Sequence, residues 1–341
     1  MQFEHAPPEA LQLLPVRIRD LGLSLERSPI AELVRHLYAE LEEKGLRHFR
    51  PSCYLSDEWG SPTGEPVIGI PFYLGDPRVA NLEDAVNDVE DEREIMMYLR
   101  HEAGHAFNHA YELYLTSAWR KLFGNTRRPY RDDFRFVPFS RDFVRYIPGW
   151  YAQKHPDEDF AETFAVWLDP ESSWESRYDG WAAMKKLQYV DRIARQLGDV
   201  PPAKSVGKAD VTVAEMDQTV EEFYREFQVD ESPLVEDLAL DADLVDIFPP
   251  PAKDEETRSA ALLLREHRRT VIDKVNYWTG VRRTLVRTLV LAIEKRLAER
   301  ELVAVRERAR QQMVELTVYI TTLAMTFLRG KKRLKHRRPT R

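Results

Sequence analysis

Residues 96–114 read "MMYLRHEAGHAFNHAYELY", and the meaning of "HEAGH" within them decides what kind of domain surrounds it. At 3.6 residues per turn, His101 and His105 lie about 40° apart on one face, with Glu102 on the adjoining arc. The opposite stripe, Ile95, Leu99, Ala103, Ala106, Ala110 and Leu113, is apolar at the same spacing, so the helix can bury one side and present three polar groups to a cleft. The small Ala103 and Gly104 are expected to leave room there for a metal and its water. His109, one turn beyond His105, is expected at the surface.

Two histidines and an acid become a metal site only if a third ligand comes from elsewhere, because a catalytic zinc takes three protein ligands and keeps one position for water. One large class of such sites continues as HExxHxxGxxH, but here the glycine and last histidine are replaced by Asn108 and Tyr111. The alternative is a glutamate from a second helix, which "HPDEDFAETFAVWLDP" at 155–170 offers. Pro156 and the three acids after it mark a helix start. Glu158 and Glu162 then fall one turn apart on one face, with Phe160, Phe164 and Trp167 forming an apolar stripe. This places Glu158 as the third ligand and Glu162 behind a histidine, orienting it. His155 is a rival third ligand.

The rest of the chain supplies context. Its 341 residues, 43% hydrophobic, suffice for one large or two ordinary folded domains. The formal charge of −7 gives no overall attraction to nucleic acid or anionic membrane. Cys53 is the single cysteine, which excludes an internal disulfide framework and a CxxC metal cluster. With no basic, apolar leader in "MQFEHAPPEALQLLPVRIRD", the expected location is cytoplasmic.

Residues 28–44 read as a helix capped by Ser28, with Pro29 at its first position and Gly45 beyond its end. "CYLSDEW" and "VIGIPFYLG", separated by "GSPTGEP", predict a small hairpin or sheet edge between 52 and 74. The second run is a possible edge for an extended peptide. Helical pattern resumes from about Asp91 to Gly198, broken by an aromatic, arginine-rich loop, "NTRRPYRDDFRFVPFSRDFVRYIPGW". Its arginines read as a solvated rim or as a filter for acidic substrates.

Residues 201–250 hold thirteen acids against three bases and run into "PPP" at 249–251, the composition of a linker or flank. Residues 251–341 hold twenty-three bases against ten acids in long helical stretches. The expected organisation is therefore an α+β, mostly α domain over 1–200 with a small N-terminal sheet, an acidic linker over 201–252, and a helical C-terminal unit over 253–341. The apolar run Leu316–Leu328 is shorter than the roughly 20 residues that span a bilayer and predicts a buried helix. The tail "RGKKRLKHRRPTR" is either a solvated terminus or an electrostatic contact for an acidic partner, a membrane surface or nucleic acid, though no base-reading motif accompanies it.

The combination "LRHEAGHAFNHAYE", "LFGN" and "WYAQKHPDEDFAETFAVWL" resembles the bacterial zinc-binding metallopeptidase family, with its HExGH followed by a Y-x-x-x-H-P-x-E-D-F-A-E block. It is more distantly similar to the lethal-factor-type catalytic domain, where a tyrosine stands seven residues before the glutamate ligand. The likeness covers roughly residues 65–200; the cysteine-rich ribbon of some relatives is absent, and the C-terminal helices have no counterpart in it. What the resemblance implies is a zincin-like fold of the gluzincin type, with Zn2+ held by His101, His105 and Glu158, Glu102 as general base and Tyr151 as oxyanion stabiliser. It implies hydrolysis of a peptide or protein substrate by metal-activated water. A peptidase-like binding or scaffold protein without catalysis is the alternative.

Overall fold

The computed structural model describes residues 3, 6–131, 134–226 and 238–334, with side chains to 327. The basic tail lies outside the described side chains. The chain divides into two compact units, Met1–Phe227 and Gln228–Arg341.

The first unit is built on two helices. The histidine helix, Glu92–Ala110, starts with a capping box: Asp91 accepts from the Glu94 amide at 2.9 Å, and the Glu94 carboxylate accepts from the Asp91 amide at 3.1 Å. The carboxylate helix, Pro156–Leu168, begins behind His155, whose Nδ1 accepts from the Asp157 amide, with Pro156 at its first position. Apolar residues on almost every face, among them Phe160, Phe164, Val166 and Trp167, leave this helix buried nearly all round, as a central helix must be.

The two helices meet where both are smallest. A Cβ added to Gly104 would lie 2.8 Å from the Ala161 Cα and 2.9 Å from its carbonyl oxygen. Gly104 therefore makes room for the neighbouring backbone and not, as its sequence position suggests, for a metal and its water. Above that contact Phe107 stacks on Phe164 with ring centroids 5.0 Å apart.

Around this pair lie the helix Ile30–Glu43, the helix Met184–Leu197 and a two-stranded sheet. Ser28 does not cap the first of these; its hydroxyl donates to the Leu25 carbonyl, and the helix starts after Pro29. The strands β1 (Ser52–Ser56) and β2 (Val67–Pro71) pair in parallel, Ser52 opposite Val67 and Ser56 opposite Pro71, which corrects the hairpin expectation. A hairpin needs the chain to reverse, whereas residues 57–66 carry it back before β2 begins, and on the way Gly60 and Gly69 exchange two backbone hydrogen bonds. With β2 buried throughout and bonded on both sides around Gly69, that stretch is no open edge for an added peptide strand.

The acidic stretch 201–250 is shared between the units. Met216, Val220, Phe223 and Tyr224 enter the core of the first, and Leu240, Leu244, Ile247 and Phe248 enter that of the second. Helically spaced apolar residues, hidden in a count dominated by acids, are what bury. In the second unit the helices Ala260–Thr279, Arg283–Glu299 and Ala309–Leu334 enclose a core of Leu264, Ile272, Val286, Leu289, Val290, Ile293, Leu316, Ile320 and Ala324. A short antiparallel pair, β3 (Thr257–Ser259) with β4 (Val303–Val305), ties the start of the first of these helices to the chain following the second. Asp241 from the acidic stretch takes a bidentate contact from Arg296, 2.6 and 2.7 Å. No helix among the described residues is long and apolar enough to cross a membrane.

Candidate metal centre

Three successive acids at the first turn of the carboxylate helix point in three directions, and the histidine helix supplies partners for two of them. Glu158 turns to the histidines: its Oε2 lies 2.9 Å from His101 Nε2 and 3.1 Å from His105 Nε2, and those two nitrogens are 3.1 Å apart. Asp157 goes behind His105, 3.2 Å from its Nδ1, and also accepts from Asn108 at 2.6 Å. Asp159 faces away to Lys186 Nζ at 2.6 Å, in a site so desolvated that burial raises its carboxyl to about 7 despite the ammonium. One turn on, Glu162 contacts His101 Nδ1 at 3.0 Å and accepts from the amides of Tyr146 and Ile147.

Each imidazole is thus held at Nδ1 by a carboxylate, which fixes the tautomer with the proton on Nδ1 and leaves Nε2 bare. Two bare nitrogens and a carboxylate oxygen, all buried, then face one another at about the 3.3 Å separation expected of ligands around a tetrahedral zinc. Lone pairs converging at this distance repel unless a cation sits among them, so the donor set fits a metal. His101, His105 and Glu158 form a buried candidate metal site, the one such group among the described residues.

Protonation shows the same demand. Burial would lower the His101 pKa, but the hydrogen bonds it donates to Glu158 and Glu162 carry it up to about 9, and His105 is likewise raised against burial by Glu158 and Asp157. Burial opposes the Glu158 anion too, yet the two histidines hold its carboxyl well below the usual range. Without a metal, protons supply the missing positive charge.

Glu102 sits beside this cluster with a carboxyl raised by burial, although His101 and His105 pull the other way. Its Oε2 is buried with no hydrogen-bond partner among the described residues. A buried acceptor left free is costly in a structural role and useful in a proton-transfer one. Tyr151 packs its ring edge-on to His101, centroids 5.6 Å apart, and its hydroxyl is 3.2 Å from that of Tyr130. Because Tyr130 spends its one proton on Glu158 Oε1, the Tyr151 hydroxyl is the donor of this pair. Burial and Glu158 push the Tyr151 pKa upward, which keeps that proton in place.

Several residues stand elsewhere than their spacing suggested. His155 does not reach the cluster; one tautomer satisfies both its contacts, Nδ1 accepting from Asp157 N and Nε2 donating to the Arg128 carbonyl at 3.1 Å. His109 is buried, not superficial, because residue 65 and Asp157 close over it: Nδ1 is 3.3 Å from the Glu65 carbonyl and Nε2 3.4 Å from Asp157. The loop arginines 127, 128, 131, 135 and 141 are exposed, but Arg145 is half-buried, its guanidinium 4.5 Å over the Trp150 ring and 5.2 Å from that of Trp181. Asp157 and Tyr130 were not singled out by the sequence. Asp157 had a signal, since a residue preceding a ligand at a helix start can reach the ligand's neighbour; Tyr130 lies in an aperiodic loop and had none.

Residues 79–223 match the model of a family described as "Putative zinc-binding metallo-peptidase". Nothing among the curated proteins or the solved structures matches the chain. The matched segment, less than half of the chain, contains both helices, the aromatic loop and every residue of the cluster, and it is in this segment that the chain is similar to that zinc-binding metallo-peptidase family.

Proposed function

We propose that the protein is a zinc-dependent peptidase of the gluzincin type, in which His101, His105 and Glu158 hold the ion. The observation that carries this is the convergence of two bare imidazole nitrogens and a carboxylate oxygen within 3.1 Å, each imidazole locked from behind by an acid. When bound, zinc supplies Lewis acidity that lowers the pKa of a coordinated water to about 7 and polarises a peptide carbonyl.

The chain's own groups do the rest. Glu102, with a free buried oxygen and a raised pKa, takes the water's proton and returns it to the leaving amine. Tyr151 turns its hydroxyl from Tyr130 to the developing oxyanion. Glu162 and Asp157 keep the imidazoles in the tautomer that leaves Nε2 free. The substrate is a peptide or protein, and the single cysteine fits a cytoplasmic setting.

Elemental analysis of the full chain, purified without chelator, should find one equivalent of zinc, and a digest of denatured protein followed by mass spectrometry should show cleavage that Glu102→Gln abolishes while retaining the metal. Turnover should fall about 100-fold to 10,000-fold in that variant, because the amide cannot accept the proton. Less than roughly a tenth of an equivalent, with no uptake on adding zinc, overturns the metal reading. Zinc retained without any cleavage would favour a peptidase-like binding protein.

A further inference from the structure

The aromatic loop does more than border the cluster: it reaches a ligand. Glu158 is 3% exposed, and its Oε2 is committed to the two imidazoles. Its other oxygen, Oε1, would be a buried acceptor in need of a donor, and Tyr130 provides one at 2.5 Å. The geometry points to Tyr130 as a positioning residue that holds Glu158 by one oxygen, leaving the other for the metal. This rests on the zinc reading of the cluster.

The loop is tied down so that the phenol arrives in register. His155, at the cap of the carboxylate helix, donates to the Arg128 carbonyl two residues before Tyr130, and Pro129 restricts the backbone between them. The Lys154 ammonium stands 4.2 Å over the Tyr130 ring, and the ring of His155 is 5.4 Å away. Farther along, Gln153 brackets Val137, accepting from its amide at 2.7 Å and donating to its carbonyl at 3.0 Å. Residues 153–155, immediately before the helix that carries Glu158, therefore grip the loop at three points. His155, a rival ligand by sequence, serves instead as an anchor for the residue that orients the ligand.

The consequence is chemical. A carboxylate with both oxygens free can swing to embrace a metal and occupy the position that water and the substrate carbonyl require. A phenol on Oε1 prevents that rotation and raises no charge of its own. Because 52% of Tyr130 is exposed, a substrate entering along the loop meets this clasp directly, which couples loop position to ligand geometry.

The test compares wild type with Tyr130→Phe in the full chain, measuring zinc affinity by competition with a chromophoric chelator and the visible spectrum after replacing zinc by cobalt(II). The half-exposed ring is kept, so the metal-free melting temperature should fall only by the few degrees that losing one hydrogen bond to a buried carboxylate costs. The expected result is zinc affinity about 10-fold to 100-fold weaker, together with a loss of cobalt band intensity as Oε1 turns onto the metal and raises its coordination number. Affinity within about twofold of wild type and a superimposable cobalt spectrum would overturn the role of Tyr130 while leaving the zinc reading intact. A wild type that takes up neither metal removes the zinc reading, and this inference with it.

Discussion

Each unit of this chain is organised around a pair of packed helices, and the two seams are made of opposite materials. Between Ala260–Thr279 and Arg283–Glu299 the buried residues are mostly apolar and include Leu263, Leu264, Val271, Ile272 and Val275 on one side and Leu285, Val286, Leu289, Val290 and Ile293 on the other. The one acid buried there, Glu294, is paired with Arg265 at 2.6 Å. Between Glu92–Ala110 and Pro156–Leu168, by contrast, His101, Glu102, His105, Glu158 and Glu162 are buried together. Each apolar side chain in the first kind of seam stabilises by about 1.5–3 kcal/mol, whereas a buried ion costs several kcal/mol unless it is paired. The C-terminal seam holds itself together; the N-terminal one depends on its surroundings and, on the proposed reading, on a metal held between the histidines.

The largest effect should come from cutting those surroundings. A chain ending at residue 226 keeps Met216, Val220, Phe223 and Tyr224 in the first core, and one ending at 200 loses all four. At about 1.5–3 kcal/mol each, that loss equals the whole stability of an ordinary domain. We expect 1–226 to fold with a sharp thermal transition and to bind zinc, and 1–200 to be unfolded by circular dichroism. A folded 1–200 would place the boundary where charge composition alone suggests it.

Removing the metal should separate the seams more gently. A ligand present at about 1,000 times its dissociation constant contributes about 4 kcal/mol to the unit that binds it. Calorimetry of the full chain with and without a strong chelator should therefore move one transition downward and leave the other. In the chelated protein the moving transition is also pH-dependent. The His101 pKa rises from 6.5 to about 9 on folding, so its contribution is complete below 6.5 and disappears as pH climbs through about 9. Equal shifts of both transitions would mean that the two seams do not differ in the way described.

Tyr151→Phe tests whether the polar side of the N-terminal seam works on a transition state. If its hydroxyl meets the oxyanion, turnover on an identified substrate should fall about tenfold to a thousandfold with zinc content unchanged. If the hydroxyl only bridges to Tyr130, the change should cost about 1 kcal/mol of stability and leave kcat alone.

Much of this seam was legible because helices are periodic. The four-residue spacing of His101 to His105 and of Glu158 to Glu162 fixes which groups share a face, and the structure brings the two faces together. What periodicity does not carry stayed hidden. Strand direction in β1 and β2 depends on the path of residues 57–66, and Tyr130 arrives through an aperiodic loop anchored by side chains. His109 was misplaced because its burial comes from residue 65, distant in sequence. In the acidic stretch, net charge concealed the apolar spacing that takes Val220, Phe223 and Tyr224 into the core.

The smallest predicted effect concerns the one point where the N-terminal helices nearly touch. Gly104→Ala adds a methyl 2.8 Å from the Ala161 Cα, 2.9 Å from its carbonyl oxygen and 3.1 Å from the Phe164 Cβ. Two of these neighbours are backbone atoms, so no flexible side-chain end can yield and the helices must part. Overpacking of this kind costs about 1–3 kcal/mol, and alanine returns up to about 1 kcal/mol by its better helix propensity. The expected net is about 0–2 kcal/mol of destabilisation, a few degrees in Tm. The sharper readout is the metal, because Glu158 lies on one helix and both histidines on the other, and parting the helices widens the 2.9 and 3.1 Å separations that define the site. Zinc affinity should therefore fall by more than the change in Tm implies. If Gly104→Ala instead raises Tm and leaves zinc affinity intact, the contact is ordinary packing, and the N-terminal seam is set by its apolar residues after all, like its C-terminal counterpart.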